Sequence, residues 1–468
     1  MARKHFLKKH PFRFGIAVLV CSLSVILMIS GCSEVKKMLA GSPTATIMPA
    51  VKQPATPLSS EEEIILPENE STSESSPTVD DSDETSVPNR SNAENRTLTL
   101  WVPPQFDPSS NDEAGKILTE MLKIFMEENP NTLINIRVKS LTGEGSAINT
   151  LSAAVNAAPE VIPSLIIMNR NDLVSAVQKG LIYPISTGLF TDPASWYPFA
   201  KESSTVNNLI YGIPIAGDPL VLGYRPSKTG SEINTWDEIL SRGLPIAFEP
   251  SNPYDLFGTF IYLAKGGKIT NDMGQPWLDQ AKLIDTLNFF LSGGQKGAFP
   301  PSLAQGTSGS NANENWQLFL EGSLHIIVTK LTTFRHSQNA DIDAIPLPLF
   351  NGSTSYPLVN TWNVVLSNSN PEIQNLAVKL AEKFADPRFN DQWTQSAGYL
   401  PVRAIGQTLW QNDSFYEKMV TICENGELIQ TDQILNKITP VINEAVSSVI
   451  KTGVTPEDAA EKAIDAIK

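Results

Sequence analysis

Nucleophilic or metal-assisted catalysis needs histidines, cysteines or paired acids within reach of one another. This chain is poor in the first two. Its 468 residues include 4 His and 3 Cys. His5 and His10 fall in a basic leader. That leaves His325 and His336, which lack the HExxH spacing of a zinc site. No GxSxG nucleophile elbow occurs. The GTSGSNAN run at 306–313 lacks the lysine of a phosphate-binding loop and reads as a loop. Acids are plentiful, and a glycosidase needs only two, so composition alone leaves hydrolysis open. Cys21 lies in an apolar run and Cys32 closes it, so Cys423 stands alone in the folded part. One cysteine makes neither an internal disulfide nor a cysteine metal cluster, and Cys423 reads as a small buried hydrophobe. No cofactor or metal is expected, although carboxylates and carbonyls bind calcium without a motif.

The first thirteen residues carry Arg3, Lys4, Lys8, Lys9 and Arg13 and no acid. Phe14 to Ile29 is apolar except for Ser22 and Ser24, and short for a spanning helix. A basic stretch followed by an apolar run is a secretory signal. The run ends in Ile29-Ser30-Gly31-Cys32, which resembles the lipobox of bacterial lipoproteins. That resemblance implies cleavage after residue 31, diacylglycerol and palmitate-type acylation at Cys32, and a chain anchored to the cell membrane on its extracytoplasmic side.

Residues 32–96 read as a lipidated N-terminus and a disordered stalk. Between Glu61 and Glu84 there are ten acids and no Lys or Arg, with Ile64-Ile65-Leu66 the only apolar cluster. Such a stretch buries too little apolar surface to offset its ordering entropy. Folded sequence begins near Thr97, and what remains is too long for one core, so two lobes are expected. The formal net charge is −15, and no basic patch stands out. That argues against a nucleic-acid partner.

The elements that position candidate residues are legible from periodicity. Alternation predicts strands at 97–102 and 134–140, and a buried strand at 163–169. Helical spacing predicts helices at 113–130, 147–158 and 172–181, the last closed by Gly180. Strand alternating with helix is α/β with a mostly parallel sheet. Ligands of such sheets bind beyond the carboxyl ends of the strands. Those ends carry Trp101, Gln105 and Asp107 after the first strand, and Asn169, Arg170 and Asn171 after the third. A flat ring for the C–H face of a sugar, with planar polar groups for its hydroxyls, would suit these types. Farther on, Pro214 and Pro219 break two short apolar segments, and Thr235 with Glu238 forms a capped helix start. Strands are read at 245–250 and 323–330, and helices at 371–386, 390–396, 414–423, 431–450 and 456–467.

Six stretches in this order resemble the extracellular solute-binding proteins that feed ABC importers, in the sugar and oligosaccharide class that includes maltose-binding protein. They are PSLIIMNRNDLVSAVQKGLIYPIS, NNLIYGIPIAGDPLVLGYRPS, INTWDEIL, FLEGSLHIIVT, AEKFADPRFNDQWTQSAGYLPVRA and GVTPEDAAEKAIDAI. The resemblance implies a two-lobed, maltose-binding-like (type II) clamshell with a hinge. Lobe one would take 97–216 plus 341–386 and lobe two 217–340 plus 387–468. It further implies a non-enzymatic monomer that captures a small solute, most simply a carbohydrate, between its lobes and delivers it to permease subunits. A ligand-sensing lipoprotein that signals to a membrane partner would share every one of these features.

The resemblance also places residues. Asp218 falls at the first crossing between lobes and Trp362 at the second. Trp393 and Tyr399 fall where maltose-type binders carry stacking aromatics. With Trp101, Gln105, Asn169 and Arg170 these form the expected ligand-binding set. Trp236 is expected to staple its helix to a lobe. Two departures stand out. Lys330-Leu331-Thr332-Thr333 replaces a glycine-and-aromatic segment, and Tyr224-Arg225 replaces Tyr-Asn. They leave room for a different glycan, or for an anionic solute paired with Lys330 or Arg225.

Overall fold

The computed structural model describes residues 64–65, 96–230, 233–248, 250, 252–253, 255–301, 312–337, 341–350, 356–406 and 408–468. All belong to one compact unit, Glu61–Lys468. The signal sequence, Cys32, most of the stalk and most of the 306–313 run lie outside the described residues.

Two sheets organise the chain. The larger runs β1 (Ile64–Ile65), β3 (Thr132–Val138), β2 (Arg96–Val102), β4 (Leu165–Asn169), β12 (Tyr356–Leu366) and β13 (Gly426–Leu428), with β7 (Gly212–Asp218) also on β12. Its centre, β3–β2–β4, is parallel, whereas β12 joins antiparallel to β4 and β7. The smaller runs β11 (Asp343–Pro346), β8 (Leu220–Tyr224), β10 (Ile326–Lys330) and β9 (Ile246–Ala247). A hairpin, β5 (Thr205–Val206) and β6 (Leu209–Ile210), stands apart.

The helices follow their apolar stripes. Helix Glu113–Glu128 starts where the Asp112 carboxylate accepts the Gly115 N–H, and it buries Leu118, Met121, Leu122 and Phe125. Burial of each such side chain is worth about 1.5–3 kcal/mol. Asn129 and Pro130 stop it. Thr235 caps helix Trp236–Ser241 by accepting the Glu238 N–H, and Trp236 packs edge-on against Phe289 in the second core.

Three passages of chain join the larger sheet to the smaller one or to a helix packed on it. Only Pro219 separates β7 from β8, β11 leads into β12, and β13 leads into helix Asp432–Lys451. The β7–β12 register shifts between Trp362 and Asn363, where Pro214 sits opposite without an N–H to give. At the second passage Leu358 has φ 68°, costly for a branched side chain. The turn sends Leu358 into the core of the smaller sheet while Val359 enters that of the larger. Gly217 is needed at the first passage, since a Cβ there would lie 2.8 Å from Phe199 Cε2.

The cores divide the chain differently from the sequence-based division. β11 belongs to the smaller sheet, so the stretch after 341 begins in lobe two. Helices Pro387–Ala397 and Ser414–Asn425 place Phe389, Trp393, Phe415 and Met419 in the core of lobe one, which therefore extends to β13. Helices Asp432–Lys451 and Pro456–Ile467 close lobe two. Cys423 is buried in the first core, and burial raises its thiol pKa.

Candidate solute-binding cleft

The carboxyl end of β4 meets the middle of β12, where Trp362 lies opposite Asn169, and β2 runs parallel to β4 on its other side. Phe106, in the 3₁₀ turn after β2, lies under three aromatics. Its ring stacks on Trp393 at 4.9 Å and on Tyr399 at 5.8 Å, and lies tilted to Trp362 at 5.4 Å. Trp393 and Tyr399 stack on each other at 5.6 Å. Gln105 hydrogen-bonds the Tyr399 hydroxyl, and burial pushes that phenol's pKa up. Trp362, Trp393 and Tyr399 are 7%, 2% and 5% exposed. The structure thus brings together Gln105, Trp362, Trp393 and Tyr399, around a phenylalanine that the sequence reading did not single out. Its signal was its place in the loop after β2.

Trp101 lies on the other side of the sheet, packed with Leu151, Ile166 and Met168. The Lys139 ammonium sits 4.6 Å from the centre of its ring, and Lys139 is itself buried. Lys139 joins Pro103, Met168, Asn169, Asp172 and Trp362 around a cavity of about 10 Å³, room for about one water. The Trp362 indole N–H is buried without a partner among the described residues.

The polar turn after β4 is a helix cap. Asn169 Oδ1 accepts the Asp172 N–H at 2.8 Å, and Asn169 Nδ2 donates to the Asp172 carboxylate at 3.2 Å. Burial, then the nearby Asp432 carboxylate, raise the Asp172 pKa to about 6. Arg170 donates to the Ser203 carbonyl at 2.9 Å. Asn171 crosses to lobe two: its Nδ2 donates to the Asp432 carboxylate at 2.6 Å, and its Oδ1 accepts the Asp432 N–H at 2.8 Å. Asp218 lies at the first passage and accepts both the N–H and the hydroxyl of Thr332, at 3.1 and 3.0 Å. Burial raises its pKa against the pull of Lys330.

Arg225 is committed elsewhere. Its buried guanidinium donates to the carbonyls of Phe319 and Leu320 and pairs with Asp341 at 3.1 Å. Those partners use its donors inside lobe two, so it does not offer them to an anion in the cleft. A larger cavity, about 540 Å³, lies between helix Glu113–Glu128 and the corner near Asp386, lined by Ile117, Met121, Ile124 and Phe389. It includes none of the strand-end residues and is not assigned as the solute site. Among the described residues no group of three or more His, Cys, Asp or Glu gathers as metal ligands, and no helix is long and apolar enough to cross a membrane.

Two lobes joined by three passages, with an aromatic and polar cluster where the central strands of lobe one end, define a binding protein of the two-lobed clamshell class. The sequence signature of bacterial extracellular solute-binding proteins matches residues 120–408, and the chain belongs to that family. Proteins of this family bind solutes and are not enzymes. No curated relative matches at the sequence level. Among solved structures, a cyclo/maltodextrin-binding protein complexed with maltotetraose is 17% identical, with a TM-score of 0.65 over 81% of this chain and 98% of that one. The sugar-binding protein MalE of Xanthomonas citri is 18% identical, with a TM-score of 0.64 over 79% and 97%. An ABC transporter solute-binding protein of Thermotoga lettingae bound with α-D-tagatose is 17% identical, with a TM-score of 0.59 over 80% and 98%. At such identities the likeness is one of fold.

Proposed function

We propose that this protein captures a neutral carbohydrate between its lobes and hands it to the permease of an ABC importer, while anchored to the membrane through Cys32. The observation that carries the reading is the Trp362 indole N–H. It is a buried donor with no partner among the described residues, beside Asn169 and Asp172 and next to the Phe106–Trp393–Tyr399 stack. A buried donor left unpaired costs about 1–3 kcal/mol, and a hydroxyl-bearing ligand would repay it. Flat rings beside amide and carboxyl groups are what a sugar's C–H face and hydroxyls require. The cavity is too small for a sugar as it stands, so binding involves movement of the lobes about the three passages. The Cys32 anchor rests on the ISGC stretch and the apolar run before it.

The test is a thermal-shift screen of the ligand-stripped full chain against neutral mono- and oligosaccharides, polyols, sugar phosphates and small anions. A neutral sugar at 100 times its dissociation constant stabilises the protein by about 2.7 kcal/mol. Trp362→Phe keeps an aromatic ring, removes the indole N–H, and is expected to weaken that sugar about tenfold. A response confined to anions, or an unaltered affinity in Trp362→Phe, would overturn the reading. Cys32→Ser is expected to release the protein from membranes. Unchanged fractionation, together with no acyl mass on the wild-type protein, would refute the anchor.

A further inference from the structure

The acidic segment before the folded domain contains one apolar cluster, and its first two residues form strand β1. Ile64 pairs antiparallel opposite Ile136 and Ile65 opposite Asn135, on the outer side of β3. The other neighbour of β3 is β2, so without β1 this strand is the edge of the seven-stranded sheet. β3 alternates buried Thr132, Ile134 and Ile136 with half-buried Leu133, Asn135 and Arg137. An edge strand presents a row of backbone N–H and C=O groups that another extended segment can pair.

Three acids, Glu61 to Glu63, precede the pair in the sequence, and Leu66 follows it. Pro67 comes next in the sequence and has no N–H, so a strand continued past Leu66 would lack a ladder donor there. Thirty residues, 66–95, connect this piece back to β2, and closing a loop of that length costs little more than closing a short one.

We propose that Ile64–Ile65 is a reversible clasp, by which the protein's own tether docks on the edge of β3 and sets how far the domain stands from its anchor. Two paired residues make a weak contact, so docked and released forms interchange. This consequence rests on the Cys32 anchor. The docked tether has about 32 residues between Cys32 and the sheet, against about 64 when released. At about 3.4 Å per extended residue, the maximum reach falls from about 220 Å to about 110 Å. A long reach lets the domain sample more of the space around its anchor, and a short one keeps it close to the anchor.

Hydrogen exchange of the full-length protein in detergent tests the clasp. Replacing both isoleucines (Ile64→Asp with Ile65→Asp) is expected to speed exchange of amides in 132–138 severalfold and to leave β4 unchanged. Equal exchange in variant and wild type would overturn the proposal. As a second measurement, Ile65→Cys with Asn135→Cys is expected to form a disulfide within one chain under mild oxidation. No disulfide, or one joining two copies, would equally overturn it, the latter by making a second chain the occupant. Both measurements are repeated on Cys32→Ser, where the clasp is expected to persist, so failure of the anchor and failure of the clasp are told apart.

Discussion

Asp172 offers a sharp test, because the reasoning gives it opposite effects on stability and on binding. Its carboxyl rises from 3.8 to about 6, first through burial and then through the Asp432 carboxylate. A carboxyl whose pKa is higher in the folded state binds protons more tightly there than in the unfolded chain. Its penalty on folding is absent below the unfolded value of 3.8 and grows as pH rises to about 6, above which it stays constant. At about 1.4 kcal/mol per pKa unit, the ceiling on that penalty is about 3 kcal/mol. Asp172→Asn removes the charge and keeps an oxygen for Asn169 Nδ2, while the Asn169 cap on the residue's backbone N–H persists. The variant is therefore expected to be more stable than wild type by about 1–3 kcal/mol near pH 7.5, with the gap closing toward pH 4. The same change is expected to weaken solute binding, since Asp172 lines the cavity beside Trp362. Urea unfolding of ligand-stripped protein, followed by circular dichroism across that pH range, reads the gap directly. A gap that does not vary with pH, or a variant less stable at neutral pH, would refute the account.

Other expectations follow from single contacts. Asn171→Ala removes both bonds to Asp432 and with them a link between the lobes. It should favour separated lobes by about 1–2 kcal/mol, seen as a larger radius of gyration in solution scattering, and an unchanged radius would count against the link. Arg225→Met should destabilise the protein by about 2–4 kcal/mol in denaturant, since it leaves buried carbonyls of Phe319 and Leu320 unpaired. It should leave the dissociation constant of the solute found in the screen unaltered, and a large loss of affinity would return Arg225 to the cleft. Gly217→Ala should destabilise by about 1–3 kcal/mol through the clash with Phe199, and a neutral effect on melting would show that the passage gives way.

The local sequence determined much of this protein by itself. The alternation of TLTLWV and INIRVKS and the apolar PSLIIMN are strands, and the stripe in EAGKILTEMLKIFMEE is a helix, because period and capping are properties of neighbouring residues. The strand ends pointed to Trp101, Gln105 and Asn169, since a parallel sheet binds ligands there, but folding packed Trp101 on the other side of the sheet. Tertiary structure decided what neighbours cannot encode. An amphipathic helix shows that it has a buried face but not which sheet covers it, so Pro387–Ala397 and Ser414–Asn425 could be assigned to lobe one only from their packing. The stack on Phe106 joins residues nearly three hundred positions apart, and no local pattern announces it. Asn171 looked like a free polar residue in a turn until folding set it against Asp432, and Arg225 looked like a free cation until folding surrounded it with carbonyls. A side chain's chemistry is fixed by its type, but whether its donors are available depends on which distant backbone lies within about 3 Å.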